Sequence, residues 1–211
     1  MRHPDVVARL TGPLPADLEA PAALIPTIVG GGERPIAPPL DVARIREAAV
    51  LVVVLPGPAG EARVLLTERV DRGGHHSGEV SFPGGGSEAG DVDVVATAIR
   101  EAIEEVGLDV AAAGLRIVGT LPAFTIPVSG YRVTPVVAVA ERRQAWVAQP
   151  AEVARIIEAP LDGFLPGAPI IVVERTIRGL PLRYGAYPVD DLLVWGATAR
   201  ILGQLGSLIG R

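Results

Sequence analysis

Residues 91–106 constrain the fold most, because their apolar side chains recur with the period of an α-helix and share one side of it. At about 100° of rotation per residue, the apolar positions fall between roughly 60° and 200° from Glu101. They are Val95, Ala98, Ile99, Ala102, Ile103 and Val106. Gly107 follows as a C-terminal stop. Such a face must be buried, so the pattern predicts a helix packed against a sheet.

Short runs rich in β-branched and apolar residues surround this helix and predict strands. They are residues 48–55, 63–68, 80–82, 115–121, 133–140, 170–177 and 182–187. The first two are predicted to form a hairpin, and the last two to pair as well. Residues 152–165 are ambiguous.

Asp190 is the predicted N-cap of a last helix that reaches about Leu208, with Trp195 on its buried face. Strands before, between and after two separated helices predict an α+β fold with a mixed sheet between helices.

Residues 1–40 differ in composition from the rest of the chain, since they hold eight of the twenty prolines. A short helix is expected at residues 5–10, and the prolines of residues 12–39 oppose both helix and central strand. The sequence therefore predicts an N-terminal arm over the surface of one domain formed by residues 41–211.

Composition excludes several kinds of chemistry. The chain has no cysteine, and all 19 of its basic residues are arginine. It can therefore form neither a thiolate metal site nor a lysine Schiff base. A net charge of −5 without a basic tail argues against nucleic acid as a partner. The longest apolar run, residues 48–55, is too short to cross a bilayer, and no signal peptide is visible, so we expect no membrane partner and a cytoplasmic location.

Three carboxylates share the polar side of the predicted helix: Glu101, Glu104 and Glu105. Each like-charged pair at i,i+3 or i,i+4 costs roughly 0.2–0.5 kcal/mol. Each acid near the helix C-terminus costs roughly another 0.3–1 kcal/mol. A divalent cation would reverse these signs, and carboxylate oxygens are ligands that Mg²⁺ and Mn²⁺ prefer. The alternative is an ordinary solvated acidic face.

A glycine-rich approach, residues 82–88, precedes this helix. Consecutive glycines let a backbone come close to a ligand and present bare N–H and C=O groups to it. A flexible turn is the alternative. A backbone that can cradle phosphate beside a carboxylate-bearing helix points to phosphate-ester chemistry that uses a metal ion.

These segments together resemble the Nudix box. The pattern is Gly85, five residues, Asp91, eight residues, and then Arg-Glu-Ala-Ile-Glu-Glu-Val-Gly-Leu at residues 100–108. The second half matches the family pattern at every defined position. The first half departs from it, because Asp91 replaces glutamate and one extra residue precedes Arg100; strict register would place Val92 at the acidic position.

The upstream sequence is similar to the coenzyme A pyrophosphatase branch of that family. Residues 65–69 read Leu-Leu-Thr-Glu-Arg, Gly78 follows, and residues 82–85 read Phe-Pro-Gly-Gly, at the spacing of that branch. Val70 and Gly74 depart from the branch pattern.

The resemblance implies a Nudix-type α/β/α sandwich and a site that binds Mg²⁺ or Mn²⁺. It implies Glu101 and Glu105 as the principal metal ligands, and Glu104 as a further direct or water-mediated one. Glu104, Glu101 and Arg100 would form the catalytic centre, with Arg100 orienting the glutamates. Substrate would be bound by Gly84, Gly85 and Arg69. The alternative for Arg69 is that it is an ordinary surface arginine without a functional role.

The implied partner is a small nucleotide of the coenzyme A class, hydrolysed to 3′,5′-ADP and 4′-phosphopantetheine, and a homodimer is possible. Alternatives are a Nudix hydrolase that acts on ADP-ribose or a dinucleoside polyphosphate, and an inactive nucleotide-binding module. The catalytic base stays open between the helix glutamates and a loop residue.

Other residues have weaker functional interpretations. His75 and His76 are expected to be ordinary loop histidines, with substrate contact as the alternative. Helix capping is the expected role of Asp91; the alternative for Asp91, and for Glu88, is an outer-sphere contact with the metal. The aromatic residues that could stack on an adenine ring are not separable by sequence; they are Phe124, Tyr131, Tyr184 and Tyr187.

Overall fold

The computed structural model describes residues 1–30, 45–70, 79–126, 129–177 and 179–211. Its helices are α1 (His3–Arg9), α2 (Val94–Val106), α3 (Val110–Ala113) and α4 (Gly196–Ile209). Its strands are β1 (Thr27–Ile28), β2 (Arg46–Pro56), β3 (Ala62–Arg69), β4 (Val80–Ser81), β5 (Gly84–Gly86), β6 (Leu115–Thr120), β7 (Phe124–Ile126), β8 (Tyr131–Ala140), β9 (Val153–Pro160), β10 (Ile171–Ile177), β11 (Leu180–Val189) and β12 (Leu192–Val194).

The larger sheet is mixed and has the strand order β4-β3-β2-β8-β6. Strands β2 and β8 run parallel, in register from Arg46 opposite Tyr131 to Val54 opposite Val139. Strands β2 and β3 form the predicted antiparallel hairpin. Three further strands join this sheet, since β5 pairs with β2, β7 with β8 and β9 with β3.

Each face of this sheet buries its own apolar core, because successive side chains of a strand point to opposite faces. On one face Leu51 and Val53 of β2 pack in the same cluster as Ala98 and Ala102 of α2. On the other face the alternate β2 residues, among them Val52, pack in the cluster that contains residues of α4. The predicted α/β/α sandwich is thereby confirmed.

A smaller sheet has the order β1-β11-β10, with β12 paired to β11. The N-terminal segment lies against the domain: Val6, Leu10, Leu18 and Leu24 are buried in the cluster that also holds α4 residues. The predicted domain boundary at residue 40 lies outside the described residues.

The N-termini of two helices, α2 and α4, were misread from the sequence. Helix α2 begins at Val94, and its N-cap is Asp93, whose carboxylate accepts from the Ala96 N–H; the capping role expected for Asp91 is wrong. Asp190 does not cap α4 but adopts a positive φ of 52° between β11 and β12.

The true N-cap of α4 is Trp195, which lies before the helix and stacks at 4.8 Å on Tyr184. The ambiguous residues 152–165 contain strand β9 and a short 3-10 helix, Leu161–Phe164. Within the described ranges, no helix combines the length and apolar character needed to cross a membrane.

Candidate active site

The glycine-rich approach is a strand rather than a turn. Gly84, Gly85 and Gly86 form β5 and pair with residues 48–50 of β2. Gly84 has a φ of 159°, and a Cβ there would come 2.5 Å from the Ala49 carbonyl oxygen, so no side chain fits. A Cβ on Gly85 would fall on the carboxylate of Glu101, closer than real Cβ atoms approach any atom. These glycines thus bring bare backbone against the carboxylates of α2.

Glu105 is a buried carboxylate with little compensation. It is 3% exposed, accepts a 3.2 Å hydrogen bond from the Gly84 N–H, and lies 3.8 Å from the Arg69 guanidinium. Burial raises the pKa of Glu105 to about 7, because it outweighs the opposing charge of Arg69 and the Gly84 hydrogen bond. A buried carboxylate whose one cationic neighbour, Arg69, compensates it so little would be stabilised by a further cation beside it.

Glu101 lies one turn before Glu105 and is also mostly buried, with its side chain 14% exposed. Burial raises the pKa of Glu101, while the Arg100 guanidinium 3.0 Å away opposes that rise. The charge of Glu152 further raises the pKa of both Glu101 and Glu105. Glu152 was missed by sequence reasoning, since only the pairing of β9 with β3 brings it to this place.

Glu104 is arranged differently from the other two helix glutamates. Its side chain is 57% exposed and forms an i,i+4 pair with Arg100 at 3.2 Å. Among the described residues, no group of three or more acidic or histidine side chains is arranged so as to hold a metal ion. The carboxylates of Glu101 and Glu105, one helical turn apart beside bare backbone, nevertheless fit Mg²⁺ or Mn²⁺, because Mg²⁺ commonly takes one or two carboxylates and completes its shell with water and substrate phosphates.

Arg100 connects helix α2 to strand β5 and to the segment between them. Its guanidinium donates to the Gly86 carbonyl at 3.0 Å, to both oxygens of Asp91 at 3.1 Å, and to Glu101 at 3.0 Å. The Asp91 side chain is 7% exposed, and Arg100 holds its pKa well below the usual range. Asp91 therefore anchors Arg100, whereas Val92, its neighbour, is 90% exposed.

Asp91→Asn should lower the melting temperature at pH 7, because Arg100 loses a charged acceptor. The contribution of Asp91 is present above its ordinary pKa of 3.8 and is lost as pH falls towards its depressed native value. The difference between variant and wild type should therefore shrink as pH falls below about 4. Thermal melts from pH 3 to 7 would measure it, with the exposed Asp17→Asn as control. A pH-independent difference would contradict the assigned role.

Two clefts flank the glutamates. Arg69, at the end of β3 with its side chain 38% exposed, lines a cleft of about 210 Å³ together with Glu152. A larger cleft of about 520 Å³ is lined by Glu101, Gly86 and Tyr131, among others. The contacts described above bring most of the predicted site residues together: Glu101, Glu105, Gly84, Gly85, Arg69 and Arg100. Glu104 is joined to them through Arg100 and is largely exposed.

The structure also separates the aromatic residues. Tyr184 and Tyr187 are 3% and 1% exposed and lie in the core, and Phe124 is covered by the Arg200 guanidinium at 4.3 Å. Tyr131 lines the larger cleft. His75 and His76 lie outside the described residues.

Comparison with known proteins gives concordant results. The family model described as NUDIX domain matches residues 45–161, which run from the start of β2 to the end of β9. A Salmonella paratyphi B protein with the name uncharacterized Nudix hydrolase NudL is 36% identical over 165 residues, covering 78% of this chain and 83% of that protein. The crystal structure of a MutT/nudix family protein from Enterococcus faecalis is 16% identical, with a TM-score of 0.51 over 76% of this chain and 60% of that one, and so is similar in fold.

Proposed function

Because the chain belongs to the Nudix family, we propose that it hydrolyses the diphosphate bond of a nucleoside diphosphate-linked substrate with the help of Mg²⁺ or Mn²⁺. One observation carries this proposal. Glu105 is buried, the side chain of Glu101 is 14% exposed, and both carboxylates lie against the bare backbone of β5, an arrangement that is unfavourable without a cation and favourable with one.

Glu101 and Glu105 would hold the cation, with the Gly84 carbonyl and Glu104, directly or through water, as further ligands. A cation bound there would neutralise charge on the diphosphate and make a bound water more acidic. It would also remove the repulsion between a polyanionic substrate and the glutamates.

The chain's own groups have distinct roles in this proposal. Arg69 would grip a phosphate through its planar guanidinium, next to the backbone of Gly84 and Gly85. Arg100 positions Glu101 through the 3.0 Å contact and anchors the helix to β5 through the Gly86 carbonyl. The helix glutamates and Glu152, a loop residue whose charge reaches them, are the candidates for the base that takes a proton from the attacking water.

Coenzyme A or a derivative is the proposed substrate, with 3′,5′-ADP and 4′-phosphopantetheine as products. The motif at residues 65–69, followed by Phe-Pro-Gly-Gly at residues 82–85, supports this choice. The structure puts the last arginine of the first motif, Arg69, within 3.8 Å of Glu105. The homodimer stays a prediction.

A substrate panel with Mg²⁺ and with Mn²⁺ tests the proposal. Coenzyme A, its acylated and oxidised forms, ADP-ribose and a dinucleoside polyphosphate should be compared by kcat/KM, with products identified by mass. We expect coenzyme A or a derivative among the best substrates. A preference for ADP-ribose or a dinucleoside polyphosphate would contradict coenzyme A as the substrate but would still support diphosphate hydrolysis. Ligand binding without turnover at any metal concentration would identify a binding module instead.

A further inference from the structure

The two clefts beside the glutamates differ in size. Ligand pockets for whole small molecules usually measure roughly 300–1,000 Å³. The cleft on the Arg69 side, at about 210 Å³, falls below that range, whereas the cleft on the Glu101 side, at about 520 Å³, falls within it. A diphosphate seated at Glu101 and Glu105 would therefore have room for a bulky ring system on the Glu101 side.

Part of the lining of the larger cleft is a stacked pair of side chains, Arg46 and Tyr131. Arg46 and Tyr131 are opposite each other in the parallel pairing of β2 and β8, so they point to the same face of the sheet. The guanidinium carbon of Arg46 lies 4.0 Å from the centre of the Tyr131 ring. Arg46 also donates to the Ser129 carbonyl at 3.3 Å, which helps hold the pair in place.

The cleft leaves this pair accessible. Arg46, Tyr131 and Gly86 all line it, and a Cβ on Gly86 would lie 3.5 Å from the Tyr131 ring, so glycine places no side chain against that edge. The neighbouring acid Glu47 is directed to Arg132, with which it pairs at 3.4 Å. Among the described residues Arg46 makes no ion pair. Within those residues no carboxylate competes with the ring nitrogen and oxygen acceptors of a ligand for its guanidinium.

Tyr131 is the only aromatic residue that lines either cleft within the described ranges. The other candidates are occupied elsewhere: Tyr187 packs edge-on against Phe164, and Tyr184 stacks on Trp195. A flat, electron-rich ring with a guanidinium on it is the kind of surface on which nucleobases stack.

We propose that the Arg46–Tyr131 pair is the nucleobase platform of this site, so that the base lies on the Glu101 side and the remainder of the substrate extends past Arg69. This assignment rests on the proposed function for the position of the diphosphate. The platform itself depends only on the cleft and its lining.

The first test is kinetic and uses the full chain. Base stacking contributes enough that its loss should raise KM roughly tenfold. Tyr131→Leu should therefore raise KM for a nucleoside diphosphate-linked substrate by about that factor. KM for a dialkyl diphosphate, which has no base, should stay unchanged. Tyr131→Phe, which keeps the ring, should behave as wild type. Equal changes for both substrates, or none, would overturn the proposal.

The second test needs neither a metal nor turnover. Adenosine carries no phosphate, so the glutamates do not repel it in metal-free buffer. Saturation-transfer NMR should detect adenosine on the wild type and on Tyr131→Phe, and a much weaker signal on Tyr131→Leu, with melting temperatures as a folding check. Absence of transfer to the wild type would overturn the platform. Failure of the wild type to hydrolyse any diphosphate would instead overturn the proposed function.

Discussion

Glu105→Gln should lower turnover by roughly a hundredfold to a thousandfold and, in metal-free buffer near neutral pH, make the protein more stable. The activity falls because the variant loses the charge of one of the two proposed principal metal ligands. The stability rises because the carboxylate is 3% exposed and its nearest cation lies at 3.8 Å. Glutamine keeps an oxygen acceptor for the Gly84 N–H, so the variant removes the charge and little else.

The gain in stability has a defined pH dependence. The pKa of Glu105 is about 7 in the folded protein against an ordinary value of 4.5. The folded state therefore holds a proton that the unfolded state has lost between those values, and wild-type stability falls as pH rises through this interval. At about 1.4 kcal/mol per pH unit, the destabilisation reaches roughly 3 kcal/mol at most. It is full above pH 7 and vanishes below pH 4.5, where the variant should lose its advantage.

Chemical denaturation with a chelator from pH 4 to 8 would measure the stability, and a coupled phosphate-product assay the turnover. Glu141→Gln is the matched control, because that side chain is 68% exposed and pairs with its neighbour Arg142 at 3.4 Å. Added Mg²⁺ should stabilise the wild type and the control but not Glu105→Gln. Full turnover in Glu105→Gln would contradict the proposed role of Glu105 as a metal ligand.

Gly85→Ala should cost activity far more than stability. The added Cβ would meet the Glu101 carboxylate, which is the mobile end of a side chain and can rotate away. The backbone at Gly85 is not in the left-handed region, so alanine adds no strain there. The fold should persist with Glu101, a proposed metal ligand, displaced. A displacement of about 1 Å in a catalytic group lowers the rate roughly a hundredfold, so we expect a loss of that size.

Gly90→Ala supplies the control from the same approach to α2. A Cβ at Gly90 has nothing within 4 Å, so this variant should keep both activity and melting temperature. The comparison of kcat/KM and melting temperature across the two variants separates a local displacement from a general loss of structure. An active Gly85→Ala would show that the position of Glu101 is not critical.

Sequence reasoning succeeded where one element specifies its own structure. The apolar period of α2 and its Gly107 stop are local signals, and they predicted the helix and most of its buried face. Two positions were wrong: Ile103, expected on the buried face, is 48% exposed, and Glu105, expected on the polar side, is buried. The reasoning failed where a tertiary partner decides. Three glycines carry no β propensity, so β5 exists only because β2 offers it a register. Asp91 looked like a cap because its partner, Arg100, lies nine residues away.

Other parts of the candidate site required the pairing of distant strands. Glu152 stands in an ambiguous segment and reaches the glutamates through the β3–β9 pairing. The four aromatic candidates were equivalent in sequence. In the structure, Tyr184 and Tyr187 are buried in the core and Phe124 is covered by Arg200, so these three do not line either cleft. The register of β2 and β8 places Tyr131 beside Arg46, which sequence alone does not reveal.

The parallel pairing of β2 with β8 has a consequence for how the protein acquires its activity. Parallel neighbours are joined by a long crossover, and here the crossover carries β5 and α2 themselves. Closing so distant a contact is slow, because chain entropy is lost before the contact stabilises anything. The glycines and glutamates of the candidate site therefore lie inside the segment that the β2–β8 pairing closes, and they are held there by their own contacts with β2. An excised peptide spanning the glycines and the acidic helix would lack the strand that holds them in place.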